Sequence, residues 1–378
     1  MIYADHAATT KISETAKLAM LSAMEKDWYN PSSLYTPGQQ ASGTLMDARV
    51  KIARCLGCLP KEIYFTSGGS EADNQAILSA AAIGKRQGKM HIISTAFEHH
   101  AVLHTLKKLE KEGFEITLLD VGEKGIVSPV QVEKAIRPDT ILVTVMYANN
   151  EIGTIQPIRE IGAICRKNGV LFHTDAVQAA GHLQINVEKD QIDMLSLSAH
   201  KFNGPKGIGV LYAKTGVFLT NLIEGGGQER GKRAGTENLP AIVGMVAALE
   251  EACSLQKERS IYVTKLRDQL IDGLKKIPGA LLNGDATNRL PGNVNFCFPD
   301  TEAEGLLLLL DNKGICASSG SACTSGFLDP SHVLLAIGRD PQTARGSLRL
   351  TLDYENTPEE VETIIEAVTD TVRILRGC

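Results

Sequence analysis

Between Ile63 and Tyr212 the chain alternates short β-rich runs with helical spacing, and that alternation restricts the fold more than any other feature. The runs Ile63–Phe65, His91–Ser94, Ile116–Leu119, Ile141–Met146, Val170–His173, Met194–Leu197 and Gly209–Tyr212 predict seven strands. Helical patterns lie between them at Glu71–Arg86, Ala101–Lys111, Pro129–Ile136 and Ile158–Lys167. Several strand runs are apolar throughout rather than alternating, as required when helices cover both faces of a mainly parallel sheet. Such an α/β sheet binds ligands beyond the carboxyl ends of its strands, so the residues just after each strand carry the functional reading. A long helical pattern follows from Leu239 toward Leu274, then Gly/Pro/Asn-rich turns. Short strands at Val294–Phe298 and Leu348–Leu352 and helices at Ala303–Leu310 and Pro358–Ile374 predict a smaller α+β domain. At roughly 150 residues per domain, the 378 residues admit two: a large domain of 13–250, and a small one of 1–12 with 251–378.

Charge and cysteine content narrow the function. Lys and Arg number 39 against 44 Asp and Glu, a net charge of −5. No basic excess exists to displace counterions from a nucleic-acid backbone. MIYADHAATT has neither a basic start nor an apolar core of the secretory kind, and Asn238–Leu249 is too short to span a bilayer. The expectation is a soluble cytoplasmic protein with no membrane or nucleic-acid partner. Eight cysteines without the spacing of a disulfide scaffold read as reduced thiols. Cys55-Leu-Gly-Cys58 has metal-knuckle spacing but no second pair, and Gly57 reads as the C-cap of a helix through Leu45, Ala48, Ile52 and Leu56.

The chemistry gathers at the strand ends. After Phe65, Thr66-Ser-Gly-Gly-Ser-Glu71 opens a helix, where free N–H groups at Gly69 and Ser70 suit a phosphate. Alone, the same residues read as a glycine turn with Ser70 as N-cap. After Ser94 comes Phe97-Glu-His-His100; His99 can stack on an aromatic ligand or move protons, and His99, His100 and His104 form a candidate metal cluster. After His173, Thr174-Asp175-Ala-Val-Gln178 places an acid able to hold a heterocyclic N–H⁺. Leu195-Ser-Leu-Ser198-Ala-His200-Lys201 carries a lysine past an apolar strand, costly unless the amine is paired or snorkels to the surface. Pyridoxal 5′-phosphate needs a Schiff-base lysine, an acid on its ring nitrogen and a phosphate cradle. Lys201, Asp175 and the Gly69-Ser70 turn, with Ser198 and His200, supply all three. Cys323, amid Ser318-Ser-Gly-Ser-Ala-Cys-Thr-Ser-Gly326, reads as an accessible nucleophile, whereas Cys297 and Cys316 read as packed thiols.

Motifs run almost end to end in one order. They begin with Ala4-Asp-His-Ala-Ala-Thr-Thr10, Asn30-Pro-Ser-Ser33, Phe65-Thr-Ser-Gly-Gly-Ser-Glu-Ala-Asp-Asn74 and Glu98-His-His-Ala-Val102. Next come Ala148-Asn-Asn-Glu-Ile-Gly-Thr-Ile-Gln-Pro157, Phe172-His-Thr-Asp-Ala-Val-Gln178 and Leu195-Ser-Leu-Ser-Ala-His-Lys-Phe202. Gly231-Lys-Arg-Ala-Gly-Thr-Glu-Asn238, Ser319-Gly-Ser-Ala-Cys-Thr-Ser325 and Ser347-Leu-Arg-Leu350 complete the set. With these the chain resembles the cysteine desulfurases among the class-V aminotransferase-like enzymes, in the subgroup that supplies sulfur for iron–sulfur clusters. The resemblance implies the type I fold of pyridoxal-phosphate-dependent transferases. It implies that Lys201 carries the cofactor, Asp175 pairs with its ring nitrogen, His99 stacks on the ring and helps move protons, and Gln178 and Asn150 meet the ring oxygen. Gly69, Ser70, Ser198 and His200 would hold the phosphate with Thr236 from a neighbouring subunit, which implies a homodimer. Asn150 and Arg349 would fix the carboxylate of L-cysteine, the fork of an arginine matching a carboxylate. Cys323 would take the sulfur as a persulfide, releasing L-alanine, and pass it to an acceptor such as an iron–sulfur scaffold protein. No metal is implied.

The chain departs from this family pattern at His6 and Asn203, where Asn and His are more usual, at Ser70 for Thr, and at Asp353 for Gly. The alternatives are a selenocysteine lyase or another class-V enzyme, and a non-enzymatic sulfur-relay partner. Neither the sulfur acceptor nor a role for Cys55, Cys58 or Cys378 is legible in the residues.

Overall fold

A computed structural model describes residues 1–319 and 330–377. Along the chain lie β1 (Ile2–Tyr3), α1 (Glu14–Lys26), α2 (Thr36–Leu56), β2 (Ile63–Thr66), α3 (Gly69–Gln87), β3 (His91–Thr95), α4 (His100–Lys111) and β4 (Glu115–Leu119). Next come α5 (Pro129–Ala135), β5 (Thr140–Thr144), α6 (Ile158–Asn168), β6 (Leu171–Asp175), β7 (Met194–Ser198), β8 (Gly209–Ala213), the short α7 (Gln228–Gly231) and the long α8 (Leu239–Leu274). The remainder holds β9 (Leu281–Leu282), β10 (Asn293–Cys297), α9 (Ala303–Asn312), β11 (Ile315–Cys316), α10 (His332–Ala336), α11 (Pro341–Arg345), β12 (Ser347–Thr351) and α12 (Pro358–Leu375).

The seven expected strands form one sheet of order β2-β8-β7-β6-β5-β3-β4. Only β8 runs against its neighbours, antiparallel to both β2 and β7. Two reversals cancel, so the carboxyl ends of β2, β7, β6, β5, β3 and β4 share one edge. Strand β5 stops before Met146, short of the expected end, because the Met146 N–H turns away to the Glu98 carboxylate. Strand β6 instead runs on to Asp175. Helices α1, α2, α5, α6 and the first half of α8 cover one face, and α3 and α4 the other. Ile63, Ile92, Ile93, Leu142 and Phe172 are fully buried between these layers, each worth about 1.5–3 kcal/mol of transfer free energy.

A separate apolar cluster joins β10 and β12 to α9, α12 and the second half of α8, and Ala4 of the N-terminal segment packs into it. Strand β1 pairs with β11, Ile2 lying beside Ile315 at the far end of the chain. Part of α8 is apolar and long enough to cross a membrane, but half of that stretch is buried, and α8 packs against α1, α2 and α12 as a core helix. Helix α2 ends at Gly57 in the left-handed region (φ 71°), which is the C-cap expected of it. Helix α1 carries no clear sequence signal because Leu18, Leu21 and Met24 face outward, leaving no apolar stripe.

Gly209 fixes β8 against the turn that opens α3. A Cβ there would lie 2.5 Å from the Leu197 carbonyl oxygen and 2.7 Å from Gly68 Cα, backbone on both sides. Gly209→Ala should therefore cost about 1–3 kcal/mol by urea denaturation at unchanged m-value. A loss under about 0.5 kcal/mol contradicts this reading of the close approach.

Candidate active site

Four strand ends and the N-terminal segment meet at the shared sheet edge. Lys201 closes a one-turn 3₁₀ helix, Ala199–Lys201, directly after β7. Its Nζ donates to the carbonyls of Ala7 (2.6 Å) and Ala8 (2.7 Å). Gln178 Nε2 donates to the same Ala7 carbonyl at 3.0 Å. The amine is thus held by backbone oxygens nearly two hundred residues away in sequence.

Asp175, the last residue of β6, is buried and accepts from the Val177 N–H at 2.9 Å. Burial raises its pKa, while His99 and Lys201 pull it back down. His99 is the N-cap of α4, and its Nδ1 accepts from the Ala101 N–H at 3.1 Å. Burial lowers its pKa against the pull of Asp175, so the neutral ring carries its proton on Nε2. Asp73 lies behind them; ligand atoms of Asp73, His99 and Asp175 all fall within 4.8 Å of one another. Burial first, and then repulsion from Asp175, push the Asp73 carboxyl well above its usual range. His173, on the same strand as Asp175, is driven to about 3 by burial and sits between Thr144 and Ser196 hydroxyls.

The anion cradle lies at the neighbouring strand ends. Gly68, not Ser70, is the N-cap of α3, correcting the local expectation, and Ser70 is exposed in the first turn. A Cβ on Gly69 would strike Val177 Cγ2 at 2.6 Å, so only glycine fits where the helix begins. Ser198 is buried at the end of β7. His200 Nδ1 is hydrogen-bonded to Thr9 Oγ1 at 3.2 Å, and burial, then the nearby lysines, hold it near pKa 4. On the facing rim, Arg349 of β12 is buried, donating to the Asn150 carbonyl (3.1 Å) and to Asp5 Oδ1 (2.9 Å). Its Nε–H has no hydrogen-bond partner among the described residues.

The histidine cluster divides. His99 turns toward Asp175, whereas His100 packs against His104 (centroids 5.0 Å apart) and His332 (4.6 Å), so the three sequence neighbours do not share one metal point. Thr236 is exposed between α7 and α8 and joins none of these contacts. Cys323 and Cys378 lie outside the described residues. Both flanks of the segment holding Cys323 are anchored at the site. Ser318 pairs backbone to backbone with Arg349, Ser331 Oγ donates to Glu151 Oε2, and His332 Nε2 meets the Glu98 carbonyl at 2.9 Å.

Asp5, Ala7, Ala8, Asp73 and Glu98 belong to the site without having been expected there as site residues. The backbone carbonyls carry no side-chain signal, and the two buried acids sit inside a helix and beside His99 with nothing in the sequence to mark them as interior.

Residues 2–364 match the family model described as aminotransferase class-V. The chain is 52% identical over 376 residues to a cysteine desulfurase IscS of Methanosarcina thermophila, covering 100% of this chain and 93% of that one. It is 51% identical over 370 residues to a cysteine desulfurase IscS of Clostridium botulinum, covering 97% and 93%. A solved NifS-like protein superposes with a TM-score of 0.92 at 37% identity, covering 99% of each chain.

Burial lifts Glu98 to about 8, despite hydrogen bonds from Thr95 and the Met146 N–H. An unfolded glutamate titrates near about 4.3. Between about pH 4 and pH 8 the folded chain keeps a proton that the unfolded chain releases, so this contribution to stability falls as pH rises and is gone above about pH 8. Glu98→Gln lacks that fall. Calorimetry should show the wild-type Tm declining relative to the variant from about pH 5 to about pH 8; a constant difference contradicts a protonated Glu98.

Proposed function

We infer that this chain, which belongs to the class-V aminotransferase family, is a pyridoxal-phosphate-dependent cysteine desulfurase. The observation that carries the reading is convergence: the Lys201 amine, the buried Asp175 carboxyl and the His99 imidazole meet at one sheet edge, with Arg349 on the facing rim.

The residues fit the cofactor. Asp175 is a buried acid with no cation bonded to it among the described residues, an environment completed by a protonated ring nitrogen. The start of α3 excludes any side chain at Gly69 and leaves its first N–H groups for a phosphate. Bound there, pyridoxal 5′-phosphate supplies an electron sink for removal of the substrate Cα proton.

Each residue then has a task. Lys201 would carry the cofactor, and Asp175 would keep the ring nitrogen charged. His99 would stack on the ring and help move protons, Gln178 and Asn150 would bond its oxygen, and Gly69, Ser70, Ser198 and His200 would hold the phosphate with Thr236 of a second copy. Exposed Leu18, Leu21, Met24, Trp28, Leu34 and Met46 on and between α1 and α2 give a homodimer an apolar surface to bury. Arg349 takes the carboxylate of L-cysteine with Asn150.

Cys323 attacks the substrate sulfur as a thiolate. The substrate C–S bond breaks as the S–S bond forms, a proton returns to the substrate carbon, and L-alanine leaves with the enzyme holding a persulfide. No external oxidant or reductant is needed. The anchoring of both flanks of the Cys323 segment beside Arg349 and Glu98 supports delivery of the thiol to this cleft. A reducing cytoplasm, where a free thiolate survives, and a sulfur-acceptor protein of the iron–sulfur scaffold kind complete the reading.

Protein loaded with pyridoxal 5′-phosphate should show a visible absorption band and convert L-cysteine to alanine. Cys323→Ser should keep the band while alanine formation falls by about two orders of magnitude or more. Lys201→Ala should lose both. Full alanine formation by Cys323→Ser overturns the persulfide role, and no alanine from the parent protein overturns the activity.

A further inference from the structure

The Asp5–Ala8 turn connects the two rims of the site. Asp5 bonds Arg349, Ala7 and Ala8 hold the Lys201 amine, and the Ala7 N–H donates to Thr351 Oγ1 at 2.8 Å. On the same turn stands His6, 8% exposed, its ring edge-on to Tyr3 with centroids 4.9 Å apart. Its Nδ1 lies 3.7 Å from Oδ2 of Asp353, which is 5% exposed and follows shortly after the end of β12.

Neither atom has a hydrogen-bond partner among the described residues. Both residues line an open cleft with His182, Asn203, Arg259 and Tyr354. Leaving two polar atoms buried and unbonded is unfavourable, and their 3.7 Å separation is too long for a hydrogen bond. A closure of under about 1 Å brings Nδ1–H to bonding distance of Oδ2. Strand β12 carries Arg349, already bonded to Asp5 at 2.9 Å, and Thr351 N–H donates to the Ala4 carbonyl at 2.7 Å, so a His6–Asp353 contact ties side chains across the junction that seats Arg349.

We propose that His6 and Asp353 are positioning residues: together they clasp the N-terminal turn to the end of β12, and so fix Arg349 for the substrate carboxylate and the Ala7 and Ala8 carbonyls for Lys201. Neither touches substrate. The inference rests on the roles of Lys201 and Arg349 given above.

The test is a double-mutant cycle of His6→Ala, Asp353→Ala and the pair, with kinetics on L-cysteine and the Tm of cofactor-free protein. Each single variant should raise KM about tenfold with kcat within about twofold, and the double should be no worse than the worse single, the mark of coupled residues. Asp353→Asn, which keeps an acceptor oxygen, should stay within about twofold of the parent in KM. If His6→Ala does not fold, His6→Gln replaces it in the cycle. Unchanged KM in both singles, or penalties that multiply in the double, overturns the clasp. Should the parent itself form no alanine, the functional reading fails separately; the clasp is then judged on Tm, where losses that do not add support it and additive losses overturn it.

Discussion

Everything at the site depends on how the Lys201 amine is held. A lysine placed after an apolar strand would ordinarily reach for water, and here two backbone carbonyls from the N-terminal turn hold it at the sheet edge. That arrangement requires the N-terminus to travel with the C-terminal portion: β1 pairs with β11, Ala4 packs among β10, β12 and α12, and Ala7 is bonded to Thr351. The site is therefore a seam between two sheets rather than a pocket inside one.

The seam is lined with buried ionisable groups that a core built only for stability would avoid. Asp73, Glu98, Glu151 and Asp175 are all buried around it, and burial raises the pKa of each. His99, His173 and His200 are lowered for the same reason. Opposed shifts in neighbouring groups let acid and base roles coexist near neutral pH.

The sheet was largely legible because its strands are unbroken apolar runs, and all seven appear close to where those runs lie. Lys201, Asp175, His99 and Gly69 were legible because each follows a strand. The direction of β8 was not, since an apolar run such as Gly209–Ala213 reads the same whichever way it lies. The split of His99 from His100 follows from the N-cap geometry at the head of α4, which sets the two rings edge to face and brings only His99 to Asp175. The nearness of His6 to Asp353 joins two positions separated by most of the chain. Periodicity reports only local structure, so a contact of that separation leaves no trace in it.

The central claim is that the amine at position 201 bears the cofactor. Borohydride reduction of protein incubated with pyridoxal 5′-phosphate, followed by peptide mass mapping, tests it directly. The account predicts the reduced cofactor mass on the peptide containing Lys201, at about one equivalent per chain. Label on another lysine, or an unlabelled Lys201 peptide in saturated protein, contradicts it.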